Sequence, residues 1–194
     1  MNQQQELKNT NDDNILIAYS TTDGQTRKIC QRIQKTIEVN NRTLSCRLLP
    51  LSQVTSIDLE AADKIIIGAS IHYGKHAPEV YAFTEQYKQQ LDSKVNAFFS
   101  VNLVARKAEK CQPDTNPYLV KFLKQIDWQP QNLAAFAGMV DYPKYKFWDR
   151  QMIRLIMWMT KGPTNSDAVI EYTNWQAVTD FANDALTWRN NEKA

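Results

Sequence analysis

The chain has 194 residues, of which 43% are hydrophobic, and its formal net charge at pH 7 is +2. This length suits one well-buried domain and is too short for two domains of typical size. Three widely spaced cysteines without a Cys-x-x-Cys pair argue against a disulfide framework and a zinc site, and they fit a reducing compartment. No stretch has the roughly eighteen uncharged residues that a membrane span needs, so any membrane contact is expected to be peripheral.

The beginning of the chain predicts a tail, a strand and a helix. Residues 1–13 are polar and lack the apolar core of a secretory signal, so we expect them to form a disordered tail. The short apolar run at 15–19 predicts a buried parallel strand, and an amphipathic helix is predicted over 26–39. Between them lies a turn with four hydroxyl side chains around one glycine, Ser20-Thr21-Thr22-Asp23-Gly24-Gln25-Thr26.

This strand, hydroxyl-rich turn and helix predict an anion site. The free N–H groups at a helix start and the helix dipole favour a negative ligand, and hydroxyls add donors without adding charge. The turn has no lysine after its glycine and no glycine triplet, so it fits neither a nucleoside-triphosphate loop nor a dinucleotide fingerprint. A phosphate monoester such as that of FMN suits it. The alternative is that Ser20 or Thr22 merely caps the helix.

The middle of the chain continues the alternation of strands and helices. A second strand is predicted at 44–49, a short helix at 58–62 and a central strand at 65–69. The loop predicted at 70–76 leaves the carboxyl end of that strand and should face the same crevice as the first turn. Tyr73 in this loop could stack on a flat ring. The alternative is that Tyr73 is an ordinary loop aromatic and that both histidines of the loop face solvent.

Later elements complete a five-stranded sheet. One helix is predicted from Pro78 through Leu91, then a strand at 95–103, a helix with Asn116 as N-cap, and a fifth strand at 133–140. Five strands alternating with helices suggest the doubly wound order 2-1-3-4-5 with helices on both faces. Residues 167–172 should return to the edge of the sheet, and a last helix should begin at the capping residues 173–176.

A plain five-stranded domain does not require the basic, aromatic segment at 142–163. Residues 142–161 carry five basic side chains and one acidic side chain, so their net charge is +4. On a helical wheel Arg150, Arg154 and Lys161 fall on one stripe opposite methionines and tryptophan. This pattern fits packing on the sheet, contact with an anionic bilayer surface, or closure over a flat acidic ligand. It does not favour nucleic acid, because nothing else in the sequence extends the basic surface.

Four stretches together resemble a known family: residues 20–26, residues 68–74, Ser100-Val101-Asn102-Leu103-Val104-Ala105-Arg106-Lys107, and residues 142–159. They look like the bacterial quinone-dependent protoporphyrinogen IX dehydrogenases within the flavodoxin-like family. The resemblance covers residues 14–188 and implies one flavodoxin-like domain at 14–190, with 142–163 as a family-specific insertion. Thr22 and His72 stand where we expect arginine in that family.

The resemblance implies FMN as cofactor, protoporphyrinogen IX as electron donor, and menaquinone or ubiquinone as acceptor in haem biosynthesis. It further implies a peripheral place on an anionic membrane surface, the cytoplasmic face of the bacterial inner membrane. No catalytic side chain and no metal are expected, because the flavin carries the redox chemistry.

Two sets of candidate site residues follow. The candidate cofactor-binding residues are Ser20, Thr21, Thr22, Asp23, Gly24, Gln25, Thr26, Ser70, Ile71, His72, Tyr73, Gly74, Ser100, Val101, Asn102 and Leu103. The candidate substrate or membrane residues are Arg106, Lys107, Lys144, Lys146, Trp148, Arg150, Arg154 and Lys161.

Two other functions fit the same fold. A flavodoxin-type electron carrier docks to protein partners and has no small substrate, but its acidic surface contrasts with the slightly positive charge of this chain. A general NAD(P)H:quinone reductase is the second alternative. The sequence leaves open whether the protein is a homo-oligomer.

Overall fold

The structure is a computed structural model that describes residues 14–144, 151, 155 and 169–189. Its strands are β1 (Asn14–Ser20), β2 (Ser45–Pro50), β3 (Lys64–His72), β4 (Lys75–His76), β5 (Val95–Val101), β6 (Asn132–Phe136), β7 (Met139–Asp141) and β8 (Val169–Glu171). Its helices are α1 (Gln25–Asn40), α2 (Ser56–Ala61), α3 (Pro78–Gln86), α4 (Lys88–Asp92), α5 (Pro117–Leu123) and α6 (Trp175–Thr187).

Five strands form a parallel sheet in the order β2-β1-β3-β5-β6. Strand β4 has only two residues and pairs antiparallel with the end of β3. When the five long strands are numbered by themselves, the order is 2-1-3-4-5. The predicted doubly wound fold is therefore confirmed.

Alternate residues of each strand point to opposite faces of the sheet. Both faces carry buried apolar side chains, and helices cover each of them. On one face, Ile15 and Ile17 of β1 join a cluster with residues of α1 and α6, including Ile33 and Phe181. On the other face, Leu16 joins a cluster supplied by α2, α3, α4 and α5. The two apolar layers fix the sheet between them and hold the strand ends in place.

The central strand β3 is buried along the run of three isoleucines that predicted it. Next to this run, the Phe99 ring of β5 lies directly over the backbone of Gly68, where an added Cβ would come within 2.2 Å of the ring. At its start, the buried ammonium of Lys64 donates to the carbonyl oxygens of Ala185 and Leu186 at 3.1 and 3.2 Å. A cation at the carboxyl end of α6 also complements the helix dipole.

The predicted strand at 133–140 is wrong in its second half. The main sheet ends at Phe136, and β7 pairs instead with β8 in a separate two-stranded antiparallel sheet. The carbonyl oxygens between the two strands bond to residues beyond β8, since Thr173 Oγ1 donates to Ala137 and the Tyr172 amide donates to Gly138. Because β8 pairs with β7, residues 169–171 do not return to the edge of the main sheet.

Four other expectations are corrected or confirmed by the structure. The predicted loop at 70–76 is a β-hairpin, because β3 continues to His72 and pairs with β4. The predicted single helix after Pro78 is interrupted at Tyr87, where ψ is 18°. Asn116 is the N-cap of α5, as predicted. The last helix was expected to begin at the capping residues 173–176, and within this stretch the Asn174 side chain is the cap.

Several sequence-based predictions lie outside the described residues: those for the tail at 1–13 and for Lys146, Trp148, Arg150, Arg154 and Lys161. Lys144 ends a short 3-10 turn after β7, and only its backbone is described. In the part of the chain that the structure describes, no helix has the length and apolar character to cross a membrane.

Candidate functional site

The candidate site lies where the carboxyl ends of three neighbouring strands meet. Ser20 of β1 is in register with Ala69 of β3, and Ala69 is in register with Ser100 of β5. The segments that follow these residues therefore leave the sheet side by side and enclose an open cleft. It is lined by Thr21, Thr22, Asp23, Gln25, Thr26, Ser70, Ile71, His72, Tyr73, Gly74, Val101, Asn102, Leu103, Val104, Tyr118, Gly138 and Met139.

The turn after β1 presents an uncapped helix start to this cleft. Gly24 is the N-cap residue of α1 with φ 84°, and no side chain caps the helix. The alternative that Ser20 or Thr22 caps it is therefore wrong. The first turn of the helix contains no acidic residue, so the positive end of the helix dipole is not neutralised locally. This arrangement favours a negative ligand.

Two buried polar atoms beside the helix start have no hydrogen-bond partner among the described residues. They are Thr26 Oγ1 and Gln25 Oε1, on side chains that line the cleft. A buried polar atom without a partner costs about 1–3 kcal/mol. A ligand with phosphate and hydroxyl groups would satisfy both atoms, so the residues present fit a phosphate monoester that carries hydroxyls nearby.

Three predicted cofactor-binding residues, Ser20, Gly24 and Ser100, are not among the residues that line the cleft. Ser20 Oγ donates to Glu79 Oε1 at 2.6 Å, and the Gly24 amide donates to Thr21 Oγ1 at 3.0 Å within the turn. Ser100 is buried, and its Oγ accepts from Asn102 Nδ2 at 3.1 Å. Contact of Ser20, Gly24 and Ser100 with a cofactor stays a prediction.

Asn102 holds the third segment in place. Its Oδ1 accepts from the Ala105 amide at 3.0 Å and from Asn116 Nδ2 at 3.1 Å. The Asn116 side chain in turn caps α5 by accepting from the Leu119 amide. One buried pair of asparagines thus joins the cleft wall to the following helix, which fixes where Leu103 and Val104 lie.

Tyr73 stands at the mouth of the cleft on the turn of the β3–β4 hairpin. Tyr73 and Gly74 have φ values of 50° and 78°, and the Tyr73 side chain is 58% exposed. Its ring centroid lies 4.0 Å from that of His72. An exposed aromatic ring held at the rim of a cleft is available to a flat ligand.

His76 anchors the base of the same hairpin. Its Nδ1 lies 3.2 Å from the carbonyl oxygen of Ser70, and its ring packs against the edges of Phe98 and Phe122. Burial lowers the pKa of His76 to about 4, against a smaller opposing effect of the Ser70 carbonyl. His76 is therefore neutral near pH 7, and the alternative that both histidines face solvent is wrong for this one.

Four cleft residues were not among the candidates: Val104, Tyr118, Gly138 and Met139. Tyr118 lies in the first turn of α5 and is half-buried, and its Cε1 would be 4.0 Å from a Cβ added at Gly74 of the hairpin turn. Gly138 and Met139 fell inside a predicted strand, because the exit of β7 from the main sheet depends on contacts with residues 172–173 that are distant in sequence. The alanine-glycine pair before Met139 is the local signal that could have indicated a break.

Arg106, a candidate substrate or membrane residue, lies beside the β7–β8 sheet. Its Nη1 donates to the Leu103 carbonyl at 2.8 Å, and its guanidinium carbon lies 5.7 Å from the centre of the Tyr172 ring. Lys107 follows at the end of the same 3-10 turn and is half-buried. Contact of either residue with a substrate or a membrane stays a prediction.

The chain matches the flavodoxin domain family over residues 16–167. It belongs to that family. Over 167 residues it is 40% identical to protoporphyrinogen IX dehydrogenase (quinone) of Escherichia coli strain K12, which covers 86% of this chain and 91% of the relative. It is also 40% identical over 169 residues to the Leishmania major protein of the same name, covering 87% of this chain and 73% of that protein. The resemblance drawn from the sequence is confirmed.

Solved flavodoxins share the fold. Oxidised flavodoxin 2 from Bacillus cereus superposes with a TM-score of 0.50 at 17% identity, over 90% of this chain and 97% of that one. A flavodoxin from the domain Archaea also gives 0.50, at 14% identity, over 90% and 96% of the two chains. Membership of the flavodoxin domain family implies that the protein binds flavin.

The buried His76 predicts a loss of stability in acid. Between about pH 6.5 and pH 4 the unfolded chain binds a proton at His76 that the native protein excludes, so the free energy of unfolding should fall as pH falls. The full shift corresponds to a loss on the order of 3 kcal/mol. Urea unfolding across this pH range should show a flatter dependence for His76→Phe than for the wild type. Equal slopes in His76→Phe and in the wild type would refute this account of His76.

Proposed function

We propose that the protein is an FMN-dependent enzyme that oxidises protoporphyrinogen IX to protoporphyrin IX with a quinone as electron acceptor, in haem biosynthesis. The observation that carries this proposal is a flavodoxin-type cleft with an uncapped helix start, in a chain 40% identical to proteins named for this reaction. The match covers 91% of the length of the relative from Escherichia coli, so it is not confined to one segment.

FMN is the flavin that best suits the turn at 20–26. The turn offers one helix start, with Thr26 Oγ1 and the hydroxyls of Thr21 and Thr22 nearby, which matches one terminal phosphate. It contains no lysine that could neutralise a longer phosphate chain. FAD would bring a second phosphate and an adenosine to the same place. The residues therefore favour the monoester.

The other walls of the cleft would orient the ring system. Tyr73 would lie against the isoalloxazine ring from the hairpin turn, while Leu103, Val104 and Met139 supply an apolar surface that excludes water. When bound, the flavin supplies the redox chemistry, taking two electrons at a time from the porphyrinogen and delivering them to quinone. The protein then has to bind and orient its ligands and does not need an acid-base pair of its own.

The membrane part of the proposal rests on the sequence of residues 142–161. Their net charge of +4 and their aromatic and methionine content suit both an anionic lipid surface and the propionates of a macrocycle. We place the protein at the cytoplasmic face of a bacterial inner membrane, bound peripherally and reducing menaquinone or ubiquinone. A quinone dissolved in the bilayer requires an enzyme that reaches the membrane surface.

The glycine of the turn provides a test of the cofactor. Gly24→Val should raise the dissociation constant for FMN about tenfold or more, since a β-branched residue at φ 84° costs about 1–3 kcal/mol, which the free turn avoids by changing conformation and the FMN-bound turn must bear. No atom lies within 4 Å of an added Cβ, so the expected cause is backbone strain and not a clash within the protein. The readout is quenching of flavin fluorescence when FMN is titrated into apoprotein.

Gly24→Asn is the matched control, because asparagine tolerates the left-handed conformation. It should retain most of the affinity. Riboflavin, which lacks the phosphate, and FAD should both bind the wild type more weakly than FMN does. Equal affinity for riboflavin and FMN would show that the turn does not bind the phosphate.

The electron donor separates this enzyme from its two rivals. In steady-state assays with a soluble quinone, protoporphyrinogen IX should support turnover, whereas NADH and NADPH should not. Turnover with a nicotinamide donor and none with the porphyrinogen would make the protein a general quinone reductase. Absence of turnover with either donor, in a protein that holds FMN, would favour an electron carrier.

The basic stripe provides a test of membrane binding. Reversing Arg150, Arg154 and Lys161 to glutamate should weaken binding to anionic vesicles by about 1 kcal/mol or more per charge. Reduction of bound flavin by dithionite should be unchanged, because that reaction needs neither membrane nor macrocycle. Reversal of three exposed lysines elsewhere, Lys28, Lys35 and Lys121, gives the same change in net charge and serves as the control.

The stripe variant should be assayed in detergent and on vesicles. Loss of quinone reduction only on vesicles assigns the stripe to the membrane, and loss in both assigns it to the substrate. If the stripe variant and the lysine control behave alike, the stripe has no specific role in binding the membrane or the substrate.

A further inference from the structure

Gln25 connects the cofactor turn to a distant part of the chain. It is the first residue of α1, lines the cleft and is only 5% exposed. Its Nε2 donates to Glu171 Oε1 at 2.6 Å and to Thr173 Oγ1 at 2.9 Å. These partners lie on and just beyond β8, about 146 residues later in the sequence. These bonds tie the turn at 20–26 to a segment that is distant in sequence.

The network also fixes which way the Gln25 amide points. A carboxylate such as Glu171 can only accept, and the Thr173 hydroxyl already donates its proton to the Ala137 carbonyl at 2.8 Å. Both neighbours therefore require a donor from Gln25, so Nε2 faces them and Oε1 faces away. Oε1 has no partner among the described residues. It is the buried acceptor that a hydroxyl of a ligand in the cleft would satisfy.

Glu171, one of the two residues that Gln25 holds, belongs to the β7–β8 sheet, which we call the stem, and Thr173 lies just beyond it. Met139 of β7 lines the cleft and is in register with Glu171 of β8. At the other end of the stem, Asp141 is in register with Val169. The chain between these two residues thus leaves and returns at one point, and it includes the basic residues proposed for substrate and membrane contact.

We propose that Gln25 is a positioning residue that couples occupancy of the cofactor turn to the order of the stem. This proposal rests on the proposed FMN site. A ligand hydroxyl bound to Oε1 holds the amide with Nε2 towards Glu171 and Thr173, which keeps the stem docked against α1. Because coupling is reciprocal, a docked stem raises the affinity for FMN, and a loosened stem lowers it.

Removal of the acceptor on the stem tests the coupling without touching the cleft. Glu171→Leu should raise the dissociation constant for FMN about three- to tenfold, since it deletes a partly exposed hydrogen bond to a charged group. Glu171→Gln keeps an acceptor and should lose less. Glu38→Leu is the matched control, because Glu38 accepts from Gln34 Nε2 at 3.0 Å in a glutamine-glutamate pair remote from the cleft. It should leave FMN affinity unchanged.

A double-mutant cycle and hydrogen exchange distinguish coupling from a general loss of stability. Gln25→Leu combined with Glu171→Leu should bind FMN no more weakly than Gln25→Leu alone, because both changes delete one interaction. In the wild type, FMN should slow amide exchange in peptides that contain 139–141 and 169–171. In Glu171→Leu it should slow exchange only around the turn at 20–26. If Glu171→Leu does not fold, Thr173→Val, which removes the second acceptor of Gln25, takes its place.

The outcomes separate this inference from the proposed function. If the wild type does not bind FMN, the proposed cofactor is wrong and the coupling fails with it. If the wild type binds FMN, and Glu171→Leu matches Glu38→Leu in affinity and exchange, the coupling alone is wrong. Additive losses in the cycle would likewise contradict a shared interaction.

Discussion

The uncapped start of helix α1 is the constraint on which the rest of the site depends. A long helix leaves amide donors free at its first turn, and here neither a capping side chain nor an acidic residue compensates for them. Thr26 Oγ1 and Gln25 Oε1 add buried polar atoms without partners in the described part of the chain. A protein keeps such an arrangement at a cost in stability, and a bound anion with hydroxyl groups offsets that cost.

Sheet geometry turns this local feature into a cleft. The register that places Ser20, Ala69 and Ser100 side by side brings three loops to one edge. The Asn102–Asn116 pair fixes one wall, the buried His76 fixes the hairpin that carries Tyr73, and the stem adds Met139. The result combines a site for an anion, an aromatic rim and an apolar wall in one place. Such a combination suits a flavin, whose phosphate and ring system need opposite surroundings.

The sequence predicted what local patterns determine. Apolar runs and helical periodicity were sufficient for the five long strands and their order, and the residue pair Asn116-Pro117 was sufficient for the start of α5. Prediction from the sequence failed where contacts between residues distant in the chain determine the structure. The strand predicted at 133–140 breaks because Tyr172 and Thr173 take the carbonyl oxygens at the break, and no local pattern encodes those partners. Gly138 and Met139 were missed as cleft residues for the same reason, and the long reach of Gln25 to Glu171 has no signal in either segment.

Rapid mixing without oxygen tests the central claim most directly. FMN-loaded protein is mixed with protoporphyrinogen IX, and the absorbance of flavin and porphyrin is followed in a single turnover. The account predicts that the oxidised flavin band disappears in the same phase in which oxidation of the porphyrinogen begins, and that added quinone restores the band. A flavin band that protoporphyrinogen IX leaves unchanged, in a protein whose flavin NADPH readily reduces, would contradict it.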